Sequence, residues 1–121
     1  MADAVRAYTL TRLGEEKANS YTIKWEGLDS DDTGTPFLVT PFDTLTVQVT
    51  GTFGSGGSIS FYGSNDGTNY VILKDRAGNA ITFTGAGLKE VGQLTAYIRP
   101  GVTAGDGSTS LVLTAFLRSN G

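Results

Sequence analysis

Apolar and polar residues alternate with a period of two along much of this chain, which is the pattern of β-strands with one buried face. The clearest runs are residues 21–26, 45–50 and 58–62, and a long apolar run follows at 109–118. We predict that the apolar positions of these strands meet in one core. Its members include Leu45, Val47, Val49, Ile59, Phe61, Leu111 and Leu113.

Segments rich in glycine, asparagine and aspartate separate the runs and predict tight turns, because these residues tolerate left-handed backbone conformations. The turns fall at residues 54–57, 65–69, 75–79 and 105–107. The strands on either side of the first of these turns are predicted to pair as a hairpin.

Shorter apolar segments complete the pattern. They predict short strands at 37–40 (between Pro36 and Pro41), at 70–74 and at 80–84, one helical turn at 87–91, and a strand at 94–99 that ends at Pro100 and Gly101. The whole pattern predicts an all-β fold. We expect a single antiparallel β-sandwich or jelly-roll-like domain of about eight or nine strands, spanning residues 1–121.

The N-terminal segment, residues 5–12, also alternates, but neither of its faces is wholly apolar. Two interpretations stay open: an edge strand of the sandwich, or an N-terminal arm of residues 1–12 that lies on a neighbouring subunit. Tyrosine and arginine are enriched in protein interfaces, which favours contacts by such an arm. The candidate assembly contacts are Arg6, Tyr8, Leu10 and Arg12.

Composition narrows the classes of function. Hydrophobic residues make up 39% of the 121 residues and charged residues 17%, which favours a folded domain over disorder. The nine basic residues are scattered and the formal net charge is −3, so we expect no nucleic-acid partner. No apolar run has the length of a signal peptide or a membrane span, so we expect synthesis in the cytoplasm and no membrane partner.

The chain contains neither histidine nor cysteine. This excludes the commonest general base, a thiol nucleophile, the serine–histidine–aspartate triad and any disulfide. A pair of carboxylates is the remaining common catalytic arrangement, but most of the 12 acidic residues fall in predicted turns, where aspartate is favoured for backbone reasons. We therefore expect that the protein is not an enzyme.

Two loops are compatible with ion or phosphate binding. Residues 29–34 place oxygens at alternate positions before a glycine, as a calcium loop does, but Thr40 stands where the bidentate glutamate belongs. Residues 51–57 are glycine-rich, but no Lys-Ser or Lys-Thr pair follows them. We interpret the first loop as a solvated acidic loop and the second as a hairpin tip, and we expect no metal and no cofactor.

Aromatic side chains are the remaining candidates for a binding site. Tyr62 is predicted to face solvent, because its neighbour Phe61 takes the inward position. It is therefore the candidate sugar-stacking residue. Trp25, Tyr70 and Tyr97 are predicted to lie in the core of the sandwich.

Five motifs follow one another between Val47 and Leu117. They are Val-Gln-Val-Thr-Gly-Thr-Phe at 47–53, Gly-Ser-Asn-Asp-Gly-Thr-Asn-Tyr at 63–70, Asp-Arg-Ala-Gly-Asn-Ala-Ile-Thr-Phe-Thr at 75–84, Tyr-Ile-Arg-Pro at 97–100 and Gly-Asp-Gly-Ser-Thr-Ser-Leu at 105–111. In this order they resemble small β-sandwich proteins encoded among the structural genes of tailed bacteriophages, including head decoration or cement proteins.

The resemblance implies a non-enzymatic structural protein that decorates or cements the outer capsid through protein–protein contacts. Its partner would be the major capsid protein or another virion protein, and its location the capsid surface of the virion. A homo-oligomer, with a trimer favoured, would suit the local symmetry of a shell. The alternative is a carbohydrate-binding module or a fibre or tail domain, since the turn at residues 64–70 also occurs in such β-sandwich modules.

Overall fold

A computed structural model describes residues 5–13, 20–39 and 44–118 of the chain. Within these ranges the backbone forms twelve β-strands and no helix, which confirms the all-β class. Five of the strands are only two residues long, which explains why they exceed the predicted number. The strands are β1 (Val5–Arg6), β2 (Tyr8–Leu13), β3 (Ser20–Leu28), β4 (Thr33–Gly34), β5 (Phe37–Leu38), β6 (Thr44–Thr52), β7 (Ser58–Ser64), β8 (Val71–Ile72), β9 (Thr82–Phe83), β10 (Gly87–Glu90), β11 (Tyr97–Ala104) and β12 (Ser110–Arg118).

The strands form two sheets, as expected for a β-sandwich. The front sheet has the order β1-β4-β11-β7-β8, with β5 also paired to β11 and β9 to β7. The back sheet has the order β10-β6-β12-β3-β2, so the long apolar strand β12 lies in its middle. Strand pairing is antiparallel apart from the short pair of β1 with β4.

The core lies between the sheets and draws on both. Trp25 on β3 of the back sheet and Phe61 on β7 of the front sheet are its largest fully buried side chains. The seven residues that the alternation marks as buried are all at most 2% exposed. This confirms the predicted facing of β6, β7 and β12.

The predicted hairpin between residues 45–50 and 58–62 is wrong, because the two strands belong to different sheets. Both edges of β6 are occupied, one by β12 and the other by β10. The loop between β6 and β7 therefore carries the chain across the sandwich. Its glycines Gly54 and Gly56 have φ values of +71° and +70°, which allow the change of direction.

The predicted helical turn at residues 87–91 is also wrong. Residues Gly87–Glu90 form strand β10, which pairs along β6 from Gly87 opposite Val49 to Glu90 opposite Thr46. A single isolated helical turn is costly to form, whereas pairing along the edge of β6 that β12 leaves open gives a ladder of backbone hydrogen bonds.

The strand predicted at 94–99 begins later and does not end at Pro100 and Gly101, since β11 runs through both. Pro100 lies opposite Phe61 on β7. Proline is tolerated at this position because the backbone of Phe61 forms its hydrogen bonds on the side of β7 that faces away from β11. The Phe61 N–H donates to Ile81 and its carbonyl accepts from Leu73, both on the far side of β7. Pro100 thus lacks its N–H only toward the gap between β4 and β5.

The other short strands are shorter than predicted. Residues 70–74 contribute only β8, and residues 80–84 only β9. The strand at 37–40 is β5, with Thr40 and Pro41 outside the described residues. In the part of the chain that the structure covers, no helix is long and apolar enough to cross a membrane.

Candidate binding face on the front sheet

The outer face of the front sheet carries a cluster of large side chains at the centre of β7 and β11. Ile98 and Pro100 are buried, so Tyr97 and Arg99, which alternate with them, point outward. Tyr62 lies directly opposite Arg99 across the β7–β11 pair. We call this surface the tyrosine face. It comprises Leu38, Tyr62, Tyr70, Ile72, Tyr97 and Arg99.

Two of these tyrosine rings lie over glycines. A Cβ atom at Gly101 would lie 2.9 Å from Cε1 of Tyr62, and one at Gly67 would lie 3.4 Å from Cε1 of Tyr97. Each ring therefore occupies space that a side chain would otherwise fill. Both tyrosines are half-buried, so part of each ring stays open to a partner or ligand.

The third tyrosine supports the arginine. The guanidinium carbon of Arg99 lies 4.1 Å from the centroid of the Tyr70 ring, which is the geometry of a cation–π contact. The Tyr70 hydroxyl is buried and has no hydrogen-bond partner in the described residues. Tyr70 thus presents its ring to the guanidinium and keeps its hydroxyl away from any ligand.

Aliphatic side chains flank the aromatic centre on both sides. Leu38 lies opposite Tyr97 on β5 and is 47% exposed, and Ile72 lies opposite Tyr62 on β8 and is 37% exposed. Exposed large apolar side chains grouped around aromatic residues are typical of interaction surfaces. The tyrosine face has this composition.

The positive charge of Arg99 is not balanced by a neighbouring carboxylate in the described ranges. Ion pairs there join Arg76 to Glu90 at 3.1 Å and Lys89 to Asp75 at 3.7 Å. Arg99 makes its contact with the Tyr70 ring instead. The tyrosine face therefore presents the guanidinium of Arg99, which carries a positive charge and is surrounded by tyrosine rings.

The turn beside the face is held by its own carboxylate. Asp66 Oδ1 accepts hydrogen bonds from the backbone N–H groups of Thr68 and Asn69, both at 2.8 Å. These bonds, the one from Asn69 above all, hold the pKa of Asp66 far below its usual range. The Asn65 Oδ1 accepts from the N–H of Ala96 at 3.0 Å, which ties the turn to the start of β11 and brings Gly67 against Tyr97.

The carboxylates of Asp75 and Asp106 likewise accept hydrogen bonds from backbone N–H groups in two other turns. The N–H of Asn79 donates to Asp75 at 2.9 Å and lowers its pKa. Asp106 accepts from the hydroxyl and N–H of Ser108 and from the N–H of Ser55 across the loop, which lowers its pKa to about 2. Carboxylates with such pKa values are ionised acceptors near neutral pH and cannot donate a proton there.

The acidic loop at 29–34 also turns a carboxylate inward. Asp32 is 2% exposed, and its Oδ2 accepts from the N–H of Asp29 at 2.9 Å. Asp31 at the tip has a φ of +69°, as expected for an aspartate in a tight turn. Within the described ranges, no three acidic, histidine or cysteine side chains are grouped to hold a metal ion.

Of the four predicted assembly contacts, Tyr8 and Leu10 have side chains that the structure describes. Residues 8–13 form β2, an edge strand of the back sheet, so the described part of the N-terminal segment pairs within the sandwich. The Tyr8 ring packs edge-on against the rings of Trp25 at 5.9 Å and Phe37 at 5.4 Å. Leu10 is 47% exposed. The side chains of Arg6 and Arg12, and residues 1–4 of the predicted arm, lie outside the described residues.

Sequence reasoning found Tyr62 but misplaced two of its partners. Tyr70 and Tyr97 were predicted to lie in the core, yet both are half-buried on the outer face, whereas Trp25 is fully buried as predicted. Counting the alternation from the apolar residue Ile98 would have placed Tyr97 and Arg99 outside. The contact of Arg99 with Tyr70 has no local signal, because it depends on the pairing of distant strands.

Comparisons with known proteins bear on the fold. No family model and no curated protein sequence matches the chain. Among solved structures, the fold is similar to that of YomS, a protein derived from the SPBc2 prophage. The TM-score is 0.63 at 13% identity, and the match covers 88% of this chain and 100% of YomS.

Two further solved structures match the chain with lower TM-scores. Peruvianin-I, a cysteine peptidase from Thevetia peruviana latex, matches with a TM-score of 0.51 at 14% identity over 94% of this chain and 61% of its own. Aeromonas hydrophila PliG, a periplasmic inhibitor of g-type lysozyme, matches with a TM-score of 0.49 at 17% identity over 97% of this chain and 98% of its own. YomS and Peruvianin-I are less than 25% identical to this chain and show only its fold, so the surface residues must carry the functional argument.

Proposed function

We propose that this chain is a non-enzymatic structural protein of a tailed-phage particle, which decorates or cements the outer capsid through protein–protein contacts. The observation that carries the proposal is the tyrosine face. It groups three of the five tyrosines of the chain around an arginine and two exposed aliphatic side chains. Tyrosine and arginine dominate the binding energy of protein interfaces.

The phage setting is supported by two independent similarities. The motifs between residues 47 and 117 resemble those of tailed-phage virion proteins. The fold is shared with a prophage-derived protein over 88% of the chain. The motifs at 63–70 and 97–100 also contain Tyr70, Tyr97 and Arg99 of the tyrosine face.

The partner we propose is the major capsid protein or another virion protein at the capsid surface. Repeated binding sites on a shell favour a symmetric homo-oligomer, and a trimer suits a local three-fold axis. The absence of catalysis is part of the proposal, and it is supported by the use of Asp66, Asp75 and Asp106 as turn acceptors.

The test is binding to phage heads assembled without this chain. Wild-type protein should co-sediment with the heads, and a Y62S/Y97S variant should bind about tenfold more weakly or worse, as expected for interface anchors. The matched control is F116S, which removes a half-buried aromatic ring from β12 on the back sheet. Thermal unfolding of each variant verifies that it folds. Equal binding by the two variants, or no binding by the wild type, would contradict the proposal.

Carbohydrate binding is the second candidate function, as a module or as a fibre or tail domain. The observation in its favour is the placement of the Tyr62 and Tyr97 rings over glycines, with part of each ring left open. Aromatic rings with an open face on a sheet can stack on a sugar ring. A wild-type protein that ignores heads but binds host polysaccharide, and loses that binding on Y62S substitution, would replace the first proposal with this one.

A further inference from the structure

We propose that Arg99 binds a carboxylate of the partner protein, so that the tyrosine face docks on an acidic side chain of the capsid surface. The inference rests on the proposed function for the class of partner. It deepens that function by naming the chemical group that is recognised. Three features of the site carry the argument: the orientation of the guanidinium, its missing counter-ion and the side chains that surround it.

The guanidinium of Arg99 is oriented before any partner binds. Its position 4.1 Å from the Tyr70 ring centroid is that of a guanidinium on the face of the ring. Arginine presents its N–H donors at the edge of the guanidinium plane, in a fork that matches both oxygens of a carboxylate. The contact with Tyr70 therefore limits the freedom of the side chain and leaves the donors for a partner.

The charge of Arg99 also lacks a counter-ion within residues 5–13, 20–39 and 44–118. The ion pairs described there use Arg76 and Lys89. Asp66, the carboxylate of the turn under Tyr97, already accepts hydrogen bonds from Ser64, Thr68 and Asn69. A half-buried cation without a paired anion is costly, and an incoming carboxylate would offset that cost.

The surroundings favour a protein carboxylate over an acidic sugar. Leu38 on β5 and Ile72 on β8 are exposed and are separated by β11 and β7, so the face spans four strands and is wider than one sugar ring. A central charge-assisted pair inside a ring of apolar contacts is the arrangement of a protein interface. The chain as a whole has a formal net charge of −3, so an acidic partner would be attracted at Arg99 in particular.

The direct test uses three polymers as probes. Poly-L-glutamate carries protein carboxylates, polygalacturonate carries sugar carboxylates, and dextran carries no charge. We expect poly-L-glutamate to shift the NMR signals of the Arg99 Nε–H and the Tyr62 and Tyr70 rings in a saturable way, with weaker effects of polygalacturonate and none of dextran. The R99Q variant should weaken poly-L-glutamate binding about tenfold. The R99K variant should fall between wild type and R99Q, because lysine keeps the charge but lacks the fork.

The matched control is K24Q, which removes the same charge from an exposed site on β3 of the back sheet. Wild-type affinity for poly-L-glutamate in K24Q supports the inference. Equal losses in R99Q and K24Q would show a net-charge effect and overturn it. Tighter binding of polygalacturonate, or no shift with poly-L-glutamate, would also overturn it.

Head binding separates this inference from the proposed function. If wild type and R99Q bind heads equally well while Y62S/Y97S does not, the carboxylate inference fails and the proposed function stands. If poly-L-glutamate binds at Arg99 but heads do not bind the protein, the proposed function fails and the carboxylate site stands as a site for another acidic protein.

Discussion

At the scale of single residues, aspartates of this chain hold turns together through their ionised carboxylates. Asp106 joins two loops, since it accepts from Ser108 in its own turn and from Ser55 in the loop between β6 and β7. The hydroxyl of Thr109 donates to the carbonyl of Phe53 at 2.8 Å in the same junction. The loop that crosses between the sheets is thus fixed by side chains far away in sequence.

This arrangement predicts how stability depends on pH. The pKa of Asp106 falls from 3.8 to about 2 in the folded protein, so its ionised form is stabilised by folding. That contribution is fully present above about pH 4 and is lost as the pH falls through 3.8 toward 2. The D106N variant should therefore lose less stability than wild type between pH 5 and pH 2, measured by urea unfolding.

The control for this measurement is E26Q, which removes one carboxylate from an exposed site on β3. It controls for the loss of one negative charge from the surface. If D106N and the wild type lose stability in parallel below pH 4, the role given to Asp106 is wrong.

A second prediction at this scale concerns the core. Phe61 is 0% exposed, so F61A should lower the free energy of unfolding by about 3–5 kcal/mol. Gln48 is exposed on the outer face of β6, and Q48A should cost less than about 0.5 kcal/mol. Chemical denaturation of both variants measures the difference, and equal costs would contradict the assigned facing of these strands.

At the scale of elements, the strands with strong alternation could be predicted from sequence, but their pairing could not. β6, β7 and β12 each bury one face in the common core, and this burial requires an apolar side chain at every second residue. The hairpin expected at 54–57 relied on turn chemistry alone. Whether β6 pairs with its neighbour in sequence depends on β10 and β12, which take both of its edges.

The edge strand β10 shows a second limit of sequence reasoning. Its Lys89 lies opposite the buried Val47 and so points toward the core side, where it pairs with Asp75 and lies 5.8 Å from the Phe83 ring centroid. An inward charge on an edge strand discourages pairing with other chains. The same charge also prevents the strand from being recognised in the sequence, because it interrupts the alternation of apolar and polar residues at 87–91.

The close approach of β4 to the core gives an element-scale prediction. A Cβ atom at Gly34 would lie 2.5 Å from Cδ1 of Trp25 and 2.5 Å from Cδ of Pro100, both packed in place. The G34A variant should therefore lose about 1–3 kcal/mol of stability through overpacking. Gly85 has no atom within 4 Å of such a Cβ, so G85A is the control and should remain near wild type in thermal unfolding. A stable G34A would contradict this packing.

The N-terminal strand gives another prediction. Since β2 pairs with β3 and Tyr8 packs on Trp25, deletion of residues 1–12 should destabilise the fold rather than only remove a contact. The L10S variant tests a contact role without removing the strand, because Leu10 is 47% exposed. We expect L10S to unfold like wild type and to weaken head binding if this edge touches a neighbour. Normal unfolding of the deleted chain would instead favour an independent arm.

At the scale of the whole molecule, the fold class and the position of Tyr62 could be predicted, whereas the assembled face could not. Tyr97 and Arg99 on β11 meet Tyr62 only because β11 pairs with β7, and Tyr70 reaches Arg99 from the far side of β7. No local pattern encodes these long-range pairings. The resemblance to phage virion proteins supplied the proposed setting, and the structure supplied the surface on which it can be tested.

The central claim is that the outer face of the front sheet attaches this protein to a capsid. The most direct measurement is an electron cryomicroscopy map of heads bearing the bound protein, into which the fold is placed. The account predicts density on the outer shell, with Tyr62, Tyr97 and Arg99 toward the capsid protein and an acidic side chain of the capsid opposite Arg99. Density in which the tyrosine face points to solvent, or an absence of the protein from the shell, would contradict it.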